Sequence, residues 1–134
     1  KNLDIGCGAY SYVKSVGFDF SSKMLDFNDN LMEKVQGDLE KKLPFAAGKF
    51  DSVTAIFVLN YVRNYKQLLL EIKRILKKDG VLMVVLSSKQ INDWQKQKVR
   101  NDFSVKEWKN VLVKSGFSIK FFEKENLWFF RCSS

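Results

Sequence analysis

The stretch LDIGCGAY, residues 3–10, combines a short apolar strand, one acid inside that strand and two glycines directly after it. Asp4 is the acid, and Gly6 and Gly8 follow one residue apart. Glycine at the end of a strand allows the backbone to turn sharply and allows a ligand to approach the main chain. The stretch therefore predicts a strand that ends in a ligand-binding turn, with a helix after the turn.

Strands and helices alternate along the chain outward from this turn. Apolar runs bounded by turn residues predict strands at residues 1–5, 16–20, 32–38, 51–59, 81–86, 117–123 and 126–131. Apolar residues at helical spacing, together with capping signals, predict helices at residues 21–27, 65–80 and 104–116. Gly80 is predicted to end the second of these helices, and Ser104 with Glu107 forms a capping box at the start of the third.

This order of elements predicts the fold class. Strands separated by helices form a parallel sheet that is covered on both faces, and two adjacent strands at the end add an antiparallel pair at one edge. We expect an α/β, Rossmann-like, doubly wound and mostly parallel seven-stranded sheet with one antiparallel edge strand. Residues 1–134 are expected to form a single domain that lacks N-terminal elements, because the chain begins directly before a strand.

Composition limits the chemistry and the location. The chain has no histidine, so the commonest general base and the commonest metal ligand are absent, and we expect no metal site. Cys7 and Cys132 are too few for a disulfide framework and are expected to be free thiols in the reducing cytoplasm. No apolar run reaches the roughly 18 residues of a membrane span. The net charge of +8 favours an anionic partner over a cationic one.

Acids stand where the second and third predicted strands end. Asp19 ends the second strand, where a carboxylate can accept hydrogen bonds from both hydroxyls of a ribose, and Asp38 ends the third, where it can accept from an adenine amino group. Parallel sheets bind ligands at the carboxyl ends of their strands. Together with the glycine turn, these acids predict a nucleoside-bearing ligand at that edge.

Six segments in this order resemble one family: LDIGCG, GFDFSSKML, GDLEKKLPF, FDSVTAIFVLNYV, LLLEIKRILKKDGVLMVV and FSVKEWKNVLVKSGFSIKFFE. Together they are similar to the class I S-adenosylmethionine-dependent methyltransferases, most closely to the small-molecule and ubiquinone-biosynthesis-like branch. The resemblance implies an enzyme that moves a methyl group from S-adenosyl-L-methionine to an acceptor, and the acceptor itself is not indicated.

The resemblance also implies a set of cofactor-binding positions at or just beyond the carboxyl ends of the first four strands. They are Asp4, Gly6, Cys7, Gly8, Asp19, Phe20, Met24, Asp38, Leu39, Ile56 and Phe57. In this set Asp4 is implied to bind the ammonium of the methionine part, and Asp19 is implied to bind the ribose. Phe20 and Met24 are implied to line the adenine, and Asp38 and Leu39 to bound its edge. For Phe20, Met24 and Leu39 a plain core role stays open as the alternative.

The remaining members of the predicted site face the reaction. Ile56 and Phe57 are implied to border the sulfonium, and Asn60 and Tyr61 are implied to face the substrate. Methyl transfer from a sulfonium mainly requires that two reactants are held close and aligned. A general base is needed only for an acceptor that loses a proton, and the candidates are Tyr12, Tyr61 or an acid, so no catalytic residue is assigned.

Two departures from the family keep other functions open. Tyr10 stands where the family has a third glycine, and only residues 9–15 lie between the turn and the second strand, whereas a crossover with its helix needs about 10–12 residues. Either the first helix is a stub or a segment is absent. A cofactor-free relative that serves as a binding or partner subunit is therefore one alternative. A nicotinamide dinucleotide domain is another, although it requires a glycine at Ser11 and an acid about 20 residues further on.

The acceptor is the least specified part of the function. Residues 87–100 follow the fifth strand and place Trp94 among basic residues, which include Lys89, Lys96, Lys98 and Arg100. Basic residues around an aromatic ring suit RNA or an anionic small molecule. A small-molecule acceptor is the main expectation and RNA the alternative, and an amphipathic surface helix with no ligand stays open. Nothing in the sequence indicates an oligomeric state.

Overall fold

The computed structural model describes residues 1–88 and 97–134. Its strands are β1 (Asn2–Ile5), β2 (Ser15–Asp19), β3 (Leu31–Gln36), β4 (Phe50–Ile56), β5 (Leu76–Ser87), β6 (Ser118–Lys124) and β7 (Leu127–Ser133). Its helices are α1 (Ser22–Phe27), α2 (Tyr65–Ile75) and α3 (Val105–Lys114), with a short 3-10 helix at Leu59–Tyr61. None of the described helices is both long enough and apolar enough to cross a membrane.

All seven strands form one sheet in the order β3-β2-β1-β4-β5-β7-β6. The first five in this order pair in parallel, and β7 pairs antiparallel with β5 on one side and β6 on the other. The hairpin between β6 and β7 turns on Glu125 and Asn126, with φ of 52° and 65° as a two-residue turn requires. The sheet confirms the predicted fold class, with antiparallel pairing at one edge.

One face of the sheet carries the apolar core. Leu3 and Ile5 of β1 pair with Val16 and Phe18 of β2 and lie fully buried among them. This face is completed by helix residues at helical spacing, which are Leu68, Leu69, Ile72 and Ile75 of α2 and Trp108 and Leu112 of α3. The capping box of Ser104 and Glu107 is present at the start of α3, as predicted.

The opposite face of β1 is polar. Asn2 donates from Nδ2 to Ser15 Oγ at 2.9 Å and to Thr54 Oγ1 at 3.1 Å. Asn2 and Ser15 are buried, so these bonds satisfy groups that would otherwise lose their water partners. Alternation along β1 thus puts Leu3 and Ile5 into the core and turns Asp4 towards the polar side, where a ligand can be held.

The predicted helix over residues 65–80 is wrong at its end. The helix stops at Ile75, and Leu76 already pairs with Phe50 as the first residue of β5. Gly80 therefore does not end the helix; a Cβ there would lie 2.8 Å from the carbonyl oxygen of Lys77, so the close chain approach requires glycine. The third and fourth strands also end earlier than predicted, at Gln36 and Ile56.

The predicted helix after the glycine turn is absent. Residues 6–14, which connect β1 to β2, form turns and bends without a helix. Residues 37–49 connect β3 to β4 in the same way. The carboxyl ends of β1 to β4 are therefore bordered largely by loops.

Candidate active site

Two adjoining cavities lie at the carboxyl ends of the central strands. The adenosine-side cavity, as we name the first, has a volume of about 270 Å³ and is lined by Gly6, Asp19, Phe20, Gly37, Asp38, Leu39, Glu40, Phe57, Val58, Tyr61 and Val62. The turn-side cavity has a volume of about 190 Å³ and is lined by Asp4, Gly6, Cys7, Tyr10, Tyr12, Ile56 and Phe57. Gly6 and Phe57 line both, so the two cavities adjoin at these residues, and we refer to them together as the groove.

The glycine turn leaves the backbone open at the middle of this groove. Gly6 has φ of +61°, and a Cβ there would lie 2.8 Å from a methyl carbon of Val58. Its N–H donates to the carbonyl of Phe18 at 2.7 Å, which fixes the turn against β2. Gly6 is therefore required both by its backbone conformation and by its contact.

Asp19 is held at the groove wall by backbone donors from both sides. Its Oδ2 accepts from the N–H of Gly8 at 2.9 Å, and its Oδ1 accepts from the N–H of Ser21 at 2.9 Å. Ser21 in turn caps α1 by accepting from the N–H of Met24. An ionised carboxylate has about four acceptor positions. Two are thus used for orientation, and the others are left for hydroxyl donors in the groove.

Asp4 is a buried acid beside the turn-side cavity. Its side chain is 4% exposed, and its oxygens accept from Ser11 Oγ at 2.7 Å and from Thr54 Oγ1 at 2.8 Å. Burial raises the pKa of this carboxyl above its ordinary value, and the two hydroxyl donors offset part of the rise. Within residues 1–88 and 97–134, no lysine or arginine forms an ion pair with Asp4.

Cys7 does not supply a nucleophile. Burial, followed by the nearby charges of Asp4 and Asp19, raises the pKa of the Cys7 thiol to about 11, and burial raises that of Cys132 to about 12. The reactive species of cysteine is the thiolate, which is scarce at neutral pH in both side chains. Both thiols are free; Cys132 is buried, and Cys7 is half-buried and lines the turn-side cavity.

The loop after β3 closes the adenosine-side cavity. Asp38 accepts from the N–H of Glu40 at 2.8 Å, and Leu39 lines the cavity between them. Glu40 was not predicted: its carboxylate accepts from the N–H groups of Arg63 and Asn64, each at 2.8 Å, at the start of α2. A negative charge is favourable at a helix N-terminus. The only sequence signal for this contact is the acid itself, because its partners lie 23 and 24 residues away.

Phe57 connects the two cavities. Its backbone has φ of +58°, a left-handed conformation that is rare outside glycine, and its N–H donates to the carbonyl of Val85 at 2.8 Å. Its ring is 45% exposed. Such strain persists only where surrounding contacts enforce it and is frequent at functional sites.

The two predicted substrate-facing residues differ in position. Tyr61 lines the adenosine-side cavity. Asn60 is not among the lining residues; its side chain donates to Asn101 Oδ1 at 3.1 Å, and its carbonyl accepts from the N–H of Arg100 at 2.7 Å. Asn60 thus ties the segment before α3 to the rim of the groove. Its predicted substrate contact stays a prediction.

Most of the other predicted positions come together. Asp4, Cys7, Ile56, Asp19, Phe20, Asp38 and Leu39 line one cavity or the other, and Gly6 and Phe57 line both. Gly8 orients Asp19, and Met24 lies on α1 with 44% of its side chain exposed, outside both linings. Of the basic segment, Lys89, Trp94 and Lys96 lie outside the described residues, and Lys98 and Arg100 are exposed.

Comparison with known proteins identifies related sequences. Residues 3–84 match the family described as methyltransferase domain. An uncharacterised protein of Methanocaldococcus jannaschii is 37% identical over 109 residues, which cover 77% of this chain and 47% of that protein. The demethylmenaquinone methyltransferase of Lactobacillus johnsonii is 38% identical over 86 residues, which cover 58% of this chain and 35% of that protein. The chain thus spans less than half the length of these relatives.

Solved structures share the fold. An S-adenosylmethionine-dependent methyltransferase from Mesorhizobium loti superposes with a TM-score of 0.82 at 18% identity, covering 100% of this chain and 90% of that one. Another from Thermotoga maritima gives a TM-score of 0.80 at 19% identity, covering 99% and 81%. These structures confirm the fold, and the family match over residues 3–84 confirms the resemblance to methyltransferases that the sequence predicted.

Proposed function

The chain belongs to the methyltransferase domain family, and we propose that its groove binds S-adenosylmethionine and presents the methyl group to a small organic acceptor. The observation that carries the proposal is the placement of Asp19, which the turn of Gly6 and Gly8 and the cap of α1 fix at the wall of the groove. A carboxylate held in this way is pre-oriented to accept hydrogen bonds from two neighbouring hydroxyls. The relatives are longer than this chain, so the activity of the whole protein is part of the proposal.

The residues along the groove fit the three polar parts of the cofactor in order. The buried carboxylate of Asp4 suits the α-ammonium, Asp19 suits the ribose, and Asp38 suits the amino group of adenine. Gly6, which lines both cavities, lies between the first two and lets the thioether chain pass close to the main chain. Apolar side chains of Phe20 and Leu39 border the adenine end.

The cofactor supplies an already activated methyl group, so the protein contributes alignment rather than an electrophile. Phe57 lines both cavities and Ile56 lines the turn-side cavity, so both place apolar surface beside the region where the acceptor would approach. Tyr61 lines the same groove and can orient an acceptor oxygen through its hydroxyl. Holding two reactants in an attack geometry lowers the barrier without covalent participation of the protein.

We propose an aromatic small molecule as the acceptor. Relatives named demethylmenaquinone methyltransferase, 31–38% identical, support this class. The exposed rings of Phe57 and Tyr61 at the groove also support it, because aromatic rings stack favourably on a planar substrate. A demethylmenaquinone-type ring is the first compound to assay, and RNA is the competing acceptor, distinguished by a steep loss of affinity with salt.

The competing function is a cofactor-free relative that acts as a binding subunit. The helix-free connection at residues 6–14 and the tyrosine at position 10 favour it, because both alter the turn next to the cofactor site. Cofactor titration separates the two functions. The cofactor-free subunit requires that neither S-adenosylmethionine nor S-adenosylhomocysteine binds.

The test is calorimetric titration of the wild type, Asp19→Ala and Asp29→Ala with S-adenosylmethionine and S-adenosylhomocysteine. Asp29→Ala is the matched control, because Asp29 is an exposed acid in the loop after α1. We expect Asp19→Ala to weaken the binding of both ligands by about 1–3 kcal/mol, the range for hydrogen bonds to charged groups. The control should leave both binding affinities unchanged. Wild-type affinity in Asp19→Ala would remove Asp19 from the site, and no binding by the wild type would remove the function.

A further inference from the structure

Two tyrosines form an aromatic wall on the turn-side cavity. Tyr10 and Tyr12 lie on the connection between β1 and β2, are 64% and 69% exposed, and line the cavity together with Asp4. Large aromatic side chains normally stabilise a protein by burial. At these two positions burial supplies little, so the core does not account for them.

Their rings are arranged as a pair. The ring centroids lie 4.9 Å apart with an interplanar angle of 89°, an edge-to-face contact. In this geometry the edge of one ring covers a single face of the other. Each ring therefore keeps at least one free face, and aromatic faces carry the negative potential that attracts cations.

Ser11, between the two tyrosines, fixes their backbone to the buried acid. Its Oγ donates to Asp4 Oδ2 at 2.7 Å and accepts from Asn28 Nδ2 at 3.0 Å, and its carbonyl accepts from Asn30 Nδ2 at 2.8 Å. Ser11 is 1% exposed. The connection is therefore anchored at its middle residue beside Asp4, between the two tyrosines.

We propose that Tyr10 and Tyr12 bind the α-ammonium of the cofactor's methionine part through their ring faces, with Asp4 as its counter-charge. This inference rests on the proposed function, because it assigns the turn-side cavity to the amino-acid end of that cofactor. A carboxylate combined with aromatic faces is a recognised way to bind an organic ammonium.

The test compares two ligands that differ in the amino-acid end. S-adenosylhomocysteine carries the α-ammonium, whereas 5′-methylthioadenosine has the same adenosine and a thioether but no ammonium or carboxylate. Each is titrated into the wild type, the double variant Tyr10→Leu/Tyr12→Leu and the ring-retaining double variant Tyr10→Phe/Tyr12→Phe. Thermal unfolding of each protein establishes that the variants are folded.

We expect the leucine variant to lose about tenfold in affinity for S-adenosylhomocysteine and to bind methylthioadenosine as the wild type does. The phenylalanine variant should keep both affinities, because cation–π attraction needs the ring and not the hydroxyl. Equal losses for the two ligands, unchanged binding of S-adenosylhomocysteine, or an equal loss in the phenylalanine variant would each overturn the inference. Failure of the proposed function looks different, since the wild type would then bind neither ligand.

Discussion

The N–H of Gly8 and the carboxylate of Asp19 are joined by a 2.9 Å hydrogen bond across the ends of β1 and β2. The bond links two sequence features that are eleven residues apart and makes them one unit. The turn orients the acid, and the acid satisfies a backbone donor of the turn. A change at either residue is therefore expected to affect the other.

Gly6→Ala should destabilise the fold by about 1–3 kcal/mol, because alanine is strained at φ of +61° and its Cβ would press on Val58. Gly48→Ala is the matched control: it has φ of +65° but nothing within 4 Å of the Cβ position. Urea unfolding measures both variants. Equal losses would show that the contact with Val58 contributes nothing beyond the backbone strain.

The affinity for S-adenosylhomocysteine should fall as the pH falls through the pKa of Asp4. That pKa is raised above 3.8 by burial, and the ammonium of the ligand favours the ionised carboxylate, so binding is coupled to proton release above pH 3.8. Asp4→Asn should weaken binding at neutral pH and remove this coupling. Calorimetry in buffers of different ionisation enthalpy measures the protons released, and release that persists in Asp4→Asn would assign it to another group.

The two acids Asp4 and Glu71 should give opposite dependences of stability on pH. Because the pKa of Asp4 is raised in the folded state, the contribution of Asp4 to the free energy of unfolding declines as the pH rises from 3.8 through that pKa. Hydrogen bonds from Arg74 lower the pKa of Glu71, so its contribution is present above pH 4.5 and is lost as the pH falls through the lowered value. Urea unfolding of Asp4→Asn and Glu71→Gln between pH 3 and pH 7 should show the two opposite slopes relative to the wild type. Slopes of the same sign would contradict the opposite pKa shifts of Asp4 and Glu71.

Glu40→Ala should cost about 1 kcal/mol of stability, because the N–H groups of Arg63 and Asn64 at the start of α2 lose their acceptor. The substitution should also lower the affinity for S-adenosylhomocysteine, since the same loop carries Asp38 and Leu39 on the wall of the groove. Glu123→Ala, an exposed acid on β6, is the control. A stability loss without any change in affinity would show that Glu40 holds the helix and not the site.

Local patterns in the sequence determined most strands and helices and the fold class. The apolar residues of β1 with Asp4 among them, the alternation of strands with helices, and the capping box of Ser104 and Glu107 depend on neighbours within a few residues, so they can be read from the sequence. The same holds for the groove positions at strand ends, because parallel strands bring their carboxyl ends to one edge.

Tertiary contacts decided the rest. Helix α2 ends at Ile75 because Leu76 pairs with Phe50 of β4, which overrides the helical pattern that continues to Gly80. Glu40 accepts from the N–H of Asn64 at the start of α2, and the side chain of Asn60 donates to Asn101. Each of these depends on residues more than twenty positions apart, whose distance is set by the assembled sheet and not by local propensity. The pairing of Tyr10 and Tyr12 is local in the sequence, but their position beside Asp4 also depends on Asn28 and Asn30, which hold Ser11 between them.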